Sequence, residues 1–595
     1  MYRSVVKETH LPRHPITAPV IACAVTTLSL TLGILAVGAL VAVTGDSAHA
    51  AAATPPTAAA ATLPAAAAHS LPAQMDALLA RTWHADAPGG AVIVVKDGQT
   101  LFRKAYGMAD LEQGIRMTPE AVFRLGSVTK QFTAAAILLL QERGQLNVGD
   151  PITRYLPDYP THGKTVTIEH LLTHTSGVPS YTELPAWLPT WGTDLTVQQI
   201  LDFTRDLPLD FDPGTRFKYS NTGYILLGAI IEKVSGVTYE RFLADNIFRP
   251  LGMTHTACGS NLPLIRGRIP GYSRAESTFV NAKYLSMTHP YAAGALVSTV
   301  DDMALWDAAL TNGRILTPAS RARMWTSYTL ADGSPTGYGY GWGISNFQGH
   351  SVQSHDGGIN GFSTAVLRMP DEHVYVAVLE NNDSADPAPG GLALKLAAIA
   401  IGHPLPEPVT LTREKLDAFV GVYQIDSVTV RIVRRDGGTL TGQRTGRPAV
   451  EIQPTSDSTF IFPQNNVTGV FRRDKSGKVA AMIVHQQAGD ELAPRTDKPV
   501  PALPVAAKVD PAAFDALVGR YEIAPTFVIT ISRQGDHLFE QATGQSALEI
   551  FPKSETEFFL TAVDAQISFE KGADGKVTRM VLHQGGHDTP GARLP

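Results

Sequence analysis

The chain has 595 residues, 44% of them hydrophobic and 17% charged, with a formal net charge of -6 at pH 7. That length predicts several domains, and that apolar content suffices for a sizeable core. So nearly balanced a charge gives no pointer to nucleic acid, and none is expected as a partner.

Residues 1–50 read as an export segment. Arg3, Lys7 and Arg13 precede Val20–Val43, a run of 24 residues without a charge. Such a run is long enough to span a bilayer and longer than the usual signal-peptide core of about 7–15 residues. Ala48-His49-Ala50 nevertheless has the small-x-small pattern of a signal-peptidase site. The length favours an uncleaved anchor in the membrane; cleavage after Ala50 would give a periplasmic or secreted protein. Either way the basic residues stay cytoplasmic and the remainder is exported. Of the two cysteines, Cys23 lies in this leader, which leaves Cys258 as the body's single thiol and allows no internal disulfide. No His/Cys cluster has metal-ligand spacing, so neither metal nor other cofactor is expected.

Residues 51–72, almost entirely Ala, Pro and Thr, read as a linker that builds no core. A globular segment is expected over 73–402. It opens with a short helix near 73–83, then a hairpin of strands Ala91–Lys96 and Thr100–Tyr106 around the turn Asp97-Gly98. Helix formers run from Gln131 to Arg143, with Gly144 as a stop, and the nearly continuous apolar stretch Ala134–Leu140 predicts a helix buried on most sides. From Asp150 to about Ala308 the pattern is helical patches broken by Pro and Gly. Strand signals return at Gly339–Ser345, Val352–His355, Phe362–Arg368 and Val374–Leu379, and Leu392–Ile401 reads as a closing helix. Strands at both ends with helices between predict one antiparallel sheet assembled from the two ends, beside a helical insertion.

Beyond Gly402 the texture is β-rich and internally repeated at an offset of 98 residues. Phe419-Val-Gly-Val-Tyr423 matches Leu517-Val-Gly-Arg-Tyr521, and Gly477-Lys-Val479 matches Gly575-Lys-Val577. Two modules are expected, 412–497 and 510–595, each a small antiparallel barrel. The matching His485 and His583 read as structural, because no serine, lysine or acid partner recurs near them in sequence.

The stretch that carries chemistry is Ser127-Val-Thr-Lys130 at the start of the buried helix. Three residues of helix put a hydroxyl and an amine on one face. A serine beside a lysine of lowered pKa is a nucleophile beside its base, and the helix start adds positive potential for an oxyanion. Alone the motif is weak, since Ser4-Val-Val-Lys7 also matches it and Ser127 could be a plain N-cap. Downstream, Tyr219-Ser-Asn221 follows an Asp-Pro-Gly turn and leads into an apolar helix; Asn221 could again be only a cap. His355-Asp-Gly357-Gly358 ends a strand, where glycines mark close backbone approach and an edge N–H at Gly358 could face an oxyanion.

These three pieces in order resemble the serine β-lactamase and penicillin-binding-protein superfamily, in its class C β-lactamase, D-alanyl-D-alanine carboxypeptidase and esterase branch. His355-x-Gly357 stands where that family has Lys-Thr-Gly. The stretches His170-Leu-Leu-Thr-His-Thr-Ser-Gly177 and Ala293-Gly-Ala-Leu-Val-Ser-Thr299 are also similar to it. The resemblance, over roughly 73–402, implies an α/β (α+β) fold of antiparallel sheet, flanking helices and helical lobe. It also implies an exported serine hydrolase acting through an acyl-enzyme on a D-amino-acid peptide, a small ester or a β-lactam. Peptidoglycan-derived peptides are then among the candidate partners. Catalytic roles would fall to Ser127 as nucleophile, Lys130 as its proton acceptor and Tyr219 as base and acid in turn. Asn221, His355, Gly357 and Gly358 would bind substrate or oxyanion. A histidine of ordinary pKa is only partly charged at neutral pH, so His355 in place of lysine predicts weaker dependence on a substrate carboxylate. The tail modules resemble the lipocalin-like domains of D-aminopeptidases of this superfamily. The competing reading is a catalytically silent protein of the same fold that binds envelope or peptidoglycan.

Overall fold

The computed structural model describes residues 70–594 apart from 464–465, 487–488, 525–526, 544–546 and 585–586. The expected leader and nearly all of the linker therefore lie outside the described residues. Among the described residues no helix is long and apolar enough to cross a membrane.

A six-stranded antiparallel sheet joins both ends of the first domain. Helix α1 (Leu71–Thr82) precedes the hairpin β1 (Gly90–Lys96) and β2 (Gln99–Tyr106). The late strands are β3 (Gly343–Phe347), β4 (His350–Ile359), β5 (Phe362–Met369) and β6 (Val374–Glu380). Their order is β3-β4-β5-β6-β1-β2, and β6 pairs with β1 from Gly90↔Glu380 to Lys96↔Val374. Alternation sends successive side chains to opposite faces. Val92, Val94, Val376 and Val378 pack on α1 and the closing helix α5 (Pro389–Ala400). Ala91, Ile93, Ala377 and Leu379 face the helical lobe. Burial on both faces explains why the central strands β1 and β6 read as apolar runs.

The helical lobe is centred on α2 (Thr129–Glu142), whose residues from Thr129 to Leu140 are all buried. Most of its polar side-chain atoms there are bonded, Gln131 Nε2 being an exception. Thr133 Oγ1 donates to Ala292 O at 2.7 Å, and Gln131 Oε1 accepts from Trp306 Nε1 at 3.2 Å. Such bonds offset much of the cost of burying polar groups. Next to α2 lie α3 (Asn221–Ser235) and α4 (Val300–Thr311), whose Trp306 stacks on Phe132 at 4.3 Å. The strand expected from Gly339 starts only at Gly343. The stretch before it passes α2 so closely that a Cβ on Gly341 would lie 2.7 Å from Lys130 O.

The tail forms two eight-stranded antiparallel barrels. The second is closed by Tyr521↔Arg593, and the first nearly so, by the bridge Tyr423↔Arg495. The repeat reappears in the bonds: Tyr423 Oη donates to Phe419 O at 2.6 Å, and Tyr521 Oη to Leu517 O at 2.7 Å. The expectation that no acid or serine accompanies the repeated histidines does not hold. Asp490 lies 2.7 Å from His485 and Asp588 lies 2.7 Å from His583, each facing its histidine across a strand pair. Ser568 Oγ also lies 2.8 Å from His583 Nε2. This Ser-His-Asp line sits on the barrel wall, in strands paired on both sides, whose ladder engages the backbone amides that an oxyanion would need. Val470 stands in place of Ser568 in the first module. The line therefore ties strands together.

Candidate active site

One turn of 3-10 helix, Gly126–Val128, carries Ser127 into the N-terminus of α2. One turn on, the Lys130 side chain is wholly buried. Its Nζ lies 3.0 Å from Ser127 Oγ, 2.9 Å from Asn221 Oδ1 and 2.8 Å from Ala293 O. Lys130 makes no ion pair among the described residues. Burial without a counter-charge disfavours the ammonium and pushes its pKa well below the usual lysine value. A neutral amine fits these contacts fully. Two N–H groups serve the Asn221 and Ala293 carbonyl oxygens, and the lone pair faces the Ser127 hydroxyl.

Asn221 is not the cap of its helix. Ser220 caps α3, accepting from Gly223 N at 3.3 Å. This frees Asn221, the first helical residue, to hold Lys130 with its Oδ1 and Thr182 Oγ1 with its Nδ2 at 3.1 Å.

Tyr219 stands beside the pair, its ring centroid 4.7 Å from Lys130 Nζ. Its hydroxyl is buried with no partner of hydrogen-bonding geometry. Burial raises its pKa, which the nearby Ser127 only partly opposes. The tyrosine is thus a phenol, ready to give a proton, and the expected role as a base towards the attacking hydroxyl does not suit its surroundings.

His355 departs from expectation most. The ring is buried, with Nδ1 2.7 Å from Asp356 O and Nε2 2.8 Å from the Tyr338 hydroxyl. Nδ1–H donates to that carbonyl, so Nε2 accepts from Tyr338. Burial, with Lys130 nearby, lowers its pKa to about 3. His355 is neutral at physiological pH, not partly charged, and it presents no cation to a substrate.

The two glycines differ. A Cβ on Gly357 would lie 2.0 Å from Leu125 O, so Gly357 lets β4 press against the turn that carries Ser127. Gly358 has open space around it and lines the cleft. Gly126, at φ +53°, lies so close that a Cβ there would be 3.0 Å from Gly358 N. The cleft, about 100 Å³, opens on Ser127, Asn221 and Gly358, with Tyr181, Trp187 and Ile359 as its apolar walls. Lys130, Tyr219, His355 and Gly357 are packed behind it.

Two contributors were not singled out from sequence. Ala293 supplies a backbone carbonyl, whose position only the fold reveals. His174, inside the similar stretch 170–177, is buried at φ +57°. Its Nδ1 accepts from Ser220 N at 3.1 Å, its carbonyl accepts from Lys218 N at 2.9 Å, and its ring lies 4.1 Å from that of Tyr219. It thereby fixes the segment that presents Tyr219. The motif itself was the available signal.

A seryl hydroxyl against a buried lysine without a counter-charge, under a strand edge rich in glycine, makes a β-lactamase-like site on an α/β domain. The beta-lactamase family matches residues 74–400, more than half of the chain, and the chain belongs to that family. A domain of unknown function (DUF3471) matches residues 503–593, covering most of the second barrel module and the connection before it. A penicillin-binding protein of Bacillus subtilis (strain 168) is 29% identical over 433 residues, 68% of this chain and 95% of that one. A putative penicillin-binding protein, PbpX, of the same organism is 31% identical over 279 residues, 46% of this chain and 67% of that one. Among solved structures, an octameric penicillin-binding protein homologue from Pyrococcus abyssi is 27% identical with a TM-score of 0.51, over 71% of this chain and 99% of that one. The family includes serine hydrolases.

Proposed function

We propose that the protein is an exported serine hydrolase that cleaves an amide or ester bond through an acyl-enzyme on Ser127. The observation that carries this reading is Lys130, buried without a counter-charge and in contact with Ser127 Oγ. Lys130 takes the hydroxyl proton as Oγ attacks the carbonyl carbon. Charge that develops on the carbonyl oxygen is met by the Ser127 and Gly358 backbone N–H groups, each such donor typically worth about 3–4 kcal/mol. Tyr219, a neutral phenol, protonates the leaving nitrogen or oxygen and is reprotonated from Lys130. Water then attacks the acyl-enzyme and gives its proton to Lys130, which passes it to Ser127 Oγ as the acyl–oxygen bond breaks.

Likeness to penicillin-binding proteins over most of the chain supports D-amino-acid peptides and β-lactams as acyl donors beside simple esters. The charge-free run Val20–Val43 supports export, with a membrane-anchored or released body. The test offers the protein a chromogenic cephalosporin, a short-chain nitrophenyl ester and D-alanyl peptides, in parallel with Ser127→Ala. Turnover of at least one, lost in the variant, is the expected result. Activity that survives Ser127→Ala on every substrate discards the assignment.

A further inference from the structure

At the far end of β4 from His355 lies a second cleft, about 340 Å³, that shares Asn360 with the Ser127 cleft. Five residues of strand separate His355 from Asn360, about 16 Å. Three cations line this cleft, namely Arg124, Arg268 and Lys283, and no carboxylate does. None of the three forms an ion pair among the described residues, although the whole chain is acidic overall. Arg124 is half-buried, with its guanidinium carbon 5.8 Å from the Phe362 ring centroid. Its neighbours by charge are Arg268 and the Tyr284 hydroxyl, and burial with Arg268 lowers its pKa. Like charges gathered in a sheltered groove repel one another until an anion joins them.

The cleft is also built. Arg268 is held by a bond from its guanidinium to Ser260 O at 2.6 Å. Asn360 Nδ2 donates to Lys283 O at 2.9 Å, tying the lysine's loop to the β4–β5 turn. Gly271 lets that loop touch the turn, since a Cβ there would lie 2.6 Å from Gly361 O. Arg124 precedes Ser127 by three residues, so their Cα atoms are at most about 11 Å apart. A substrate bonded to Ser127 can reach this groove with a side group of a few atoms.

We propose that Arg124, Arg268 and Lys283 form an anion subsite beside the nucleophile, selecting acyl donors that carry a carboxylate a few bonds from the scissile carbonyl. The proposal rests on the serine-hydrolase reading above and adds a substrate class to it. The cation that His355 does not supply is found in the cleft beyond the C-terminal end of β4.

The test compares two esters with the same leaving group, 4-nitrophenyl butyrate and the mono-4-nitrophenyl ester of glutaric acid, on the full chain. The glutarate ester is expected to be favoured in kcat/KM by about tenfold at low salt, with the preference shrinking as salt screens it. Arg268→Gln and Lys283→Gln each raise KM for the glutarate ester severalfold and leave the butyrate ester within about twofold. Lys283 is exposed, whereas Arg124 is half-buried, so the Lys283 variant tests the subsite even if Arg124→Gln fails to fold. No preference in the parent, or a preference untouched by both variants, overturns the proposal. If no ester is cleaved through Ser127, it is the hydrolase reading that fails. The subsite is then judged by calorimetric titration with glutarate: binding lost in the two variants upholds it, and no binding overturns it.

Discussion

Lys130 Nζ lies 3.0 Å from Ser127 Oγ, and the amine is wholly buried with two carbonyl oxygens, rather than a carboxylate, as its other partners. That arrangement disfavours the ammonium and suits the lysine to the role of base proposed for it. A salt-bridged lysine in the same place would hold its proton.

Lys130→Met tests the base directly. Methionine keeps the length and apolar stem, and it removes a polar group whose burial is costly. Turnover should fall by about a thousandfold or more, while the fold survives with a melting temperature lowered by no more than several degrees, because the relief of burying an amine offsets part of the cost of leaving Asn221 Oδ1 and Ala293 O without that donor. In the parent, kcat/KM should climb with pH through a single ionisation well below the usual lysine value, because only the neutral amine accepts the Ser127 proton. A loss of activity accompanied by unfolding would mean that Lys130 acts as a strut.

His355 leads to an expectation opposite to the one its sequence suggests. Its folded pKa, about 3, lies below that of a free histidine near 6.5. The native state therefore binds fewer protons than the unfolded chain across that window, and stability contributed by the neutral ring is lost as pH falls from about 6.5 towards 3. Between pH 5 and 8 the ring does not titrate. The ratio of kcat/KM for carboxylate-bearing over neutral substrates should stay flat there, as the permanently charged Arg124 and Arg268 require. A ratio that rises as pH drops through 6.5 would return the cationic role to His355.

Much of this was legible in the chain. The buried helix, the hairpin and the late strands announced themselves through apolar runs bounded by Gly and Pro, and the 98-residue repeat through plain identity. What escaped is set by long-range burial. Nothing near His355 in sequence shows that Tyr338 and the His174 loop close over it, so its reference pKa misleads. The acid partners of His485 and His583 sit five residues on, past a turn, where only strand register brings them opposite. Tyr219 stands beside the lysine, and its protonation follows from the desolvated pocket, which no local pattern encodes.

Gly126 is required twice over. Its φ of +53° is strained for any other residue by about 1–2 kcal/mol, and an added Cβ meets the Gly358 backbone at 3.0 Å. Gly126→Ala should push the Ser127 turn and β4 apart and misplace the two N–H groups proposed to meet the oxyanion. The expected outcome is a fall in kcat of about a hundredfold or more with a smaller change in KM. Gly358→Ala, which meets open space, should cost far less; equal losses for the two would refute the close approach as the cause.

Glu380 offers a test of the scaffold rather than the site. It ends β6, is 3% exposed, and keeps one carboxyl oxygen without a partner. Burial lifts its pKa to about 8, with Trp83 opposing the shift only partly. The native state thus holds a proton that the unfolded chain, with a carboxyl pKa near 4.3, has already released. Stability from the neutral carboxyl is complete below about pH 4.3 and drains away as pH rises to 8. Glu380→Gln keeps the shape and cannot ionise. Its melting temperature should match the parent's near pH 5 and exceed it by several degrees at pH 8, a gap on the order of a few kcal/mol if the first domain unfolds in one step. Thermal melts of both proteins across that range decide it: parallel curves would show that Glu380 is ionised in the fold.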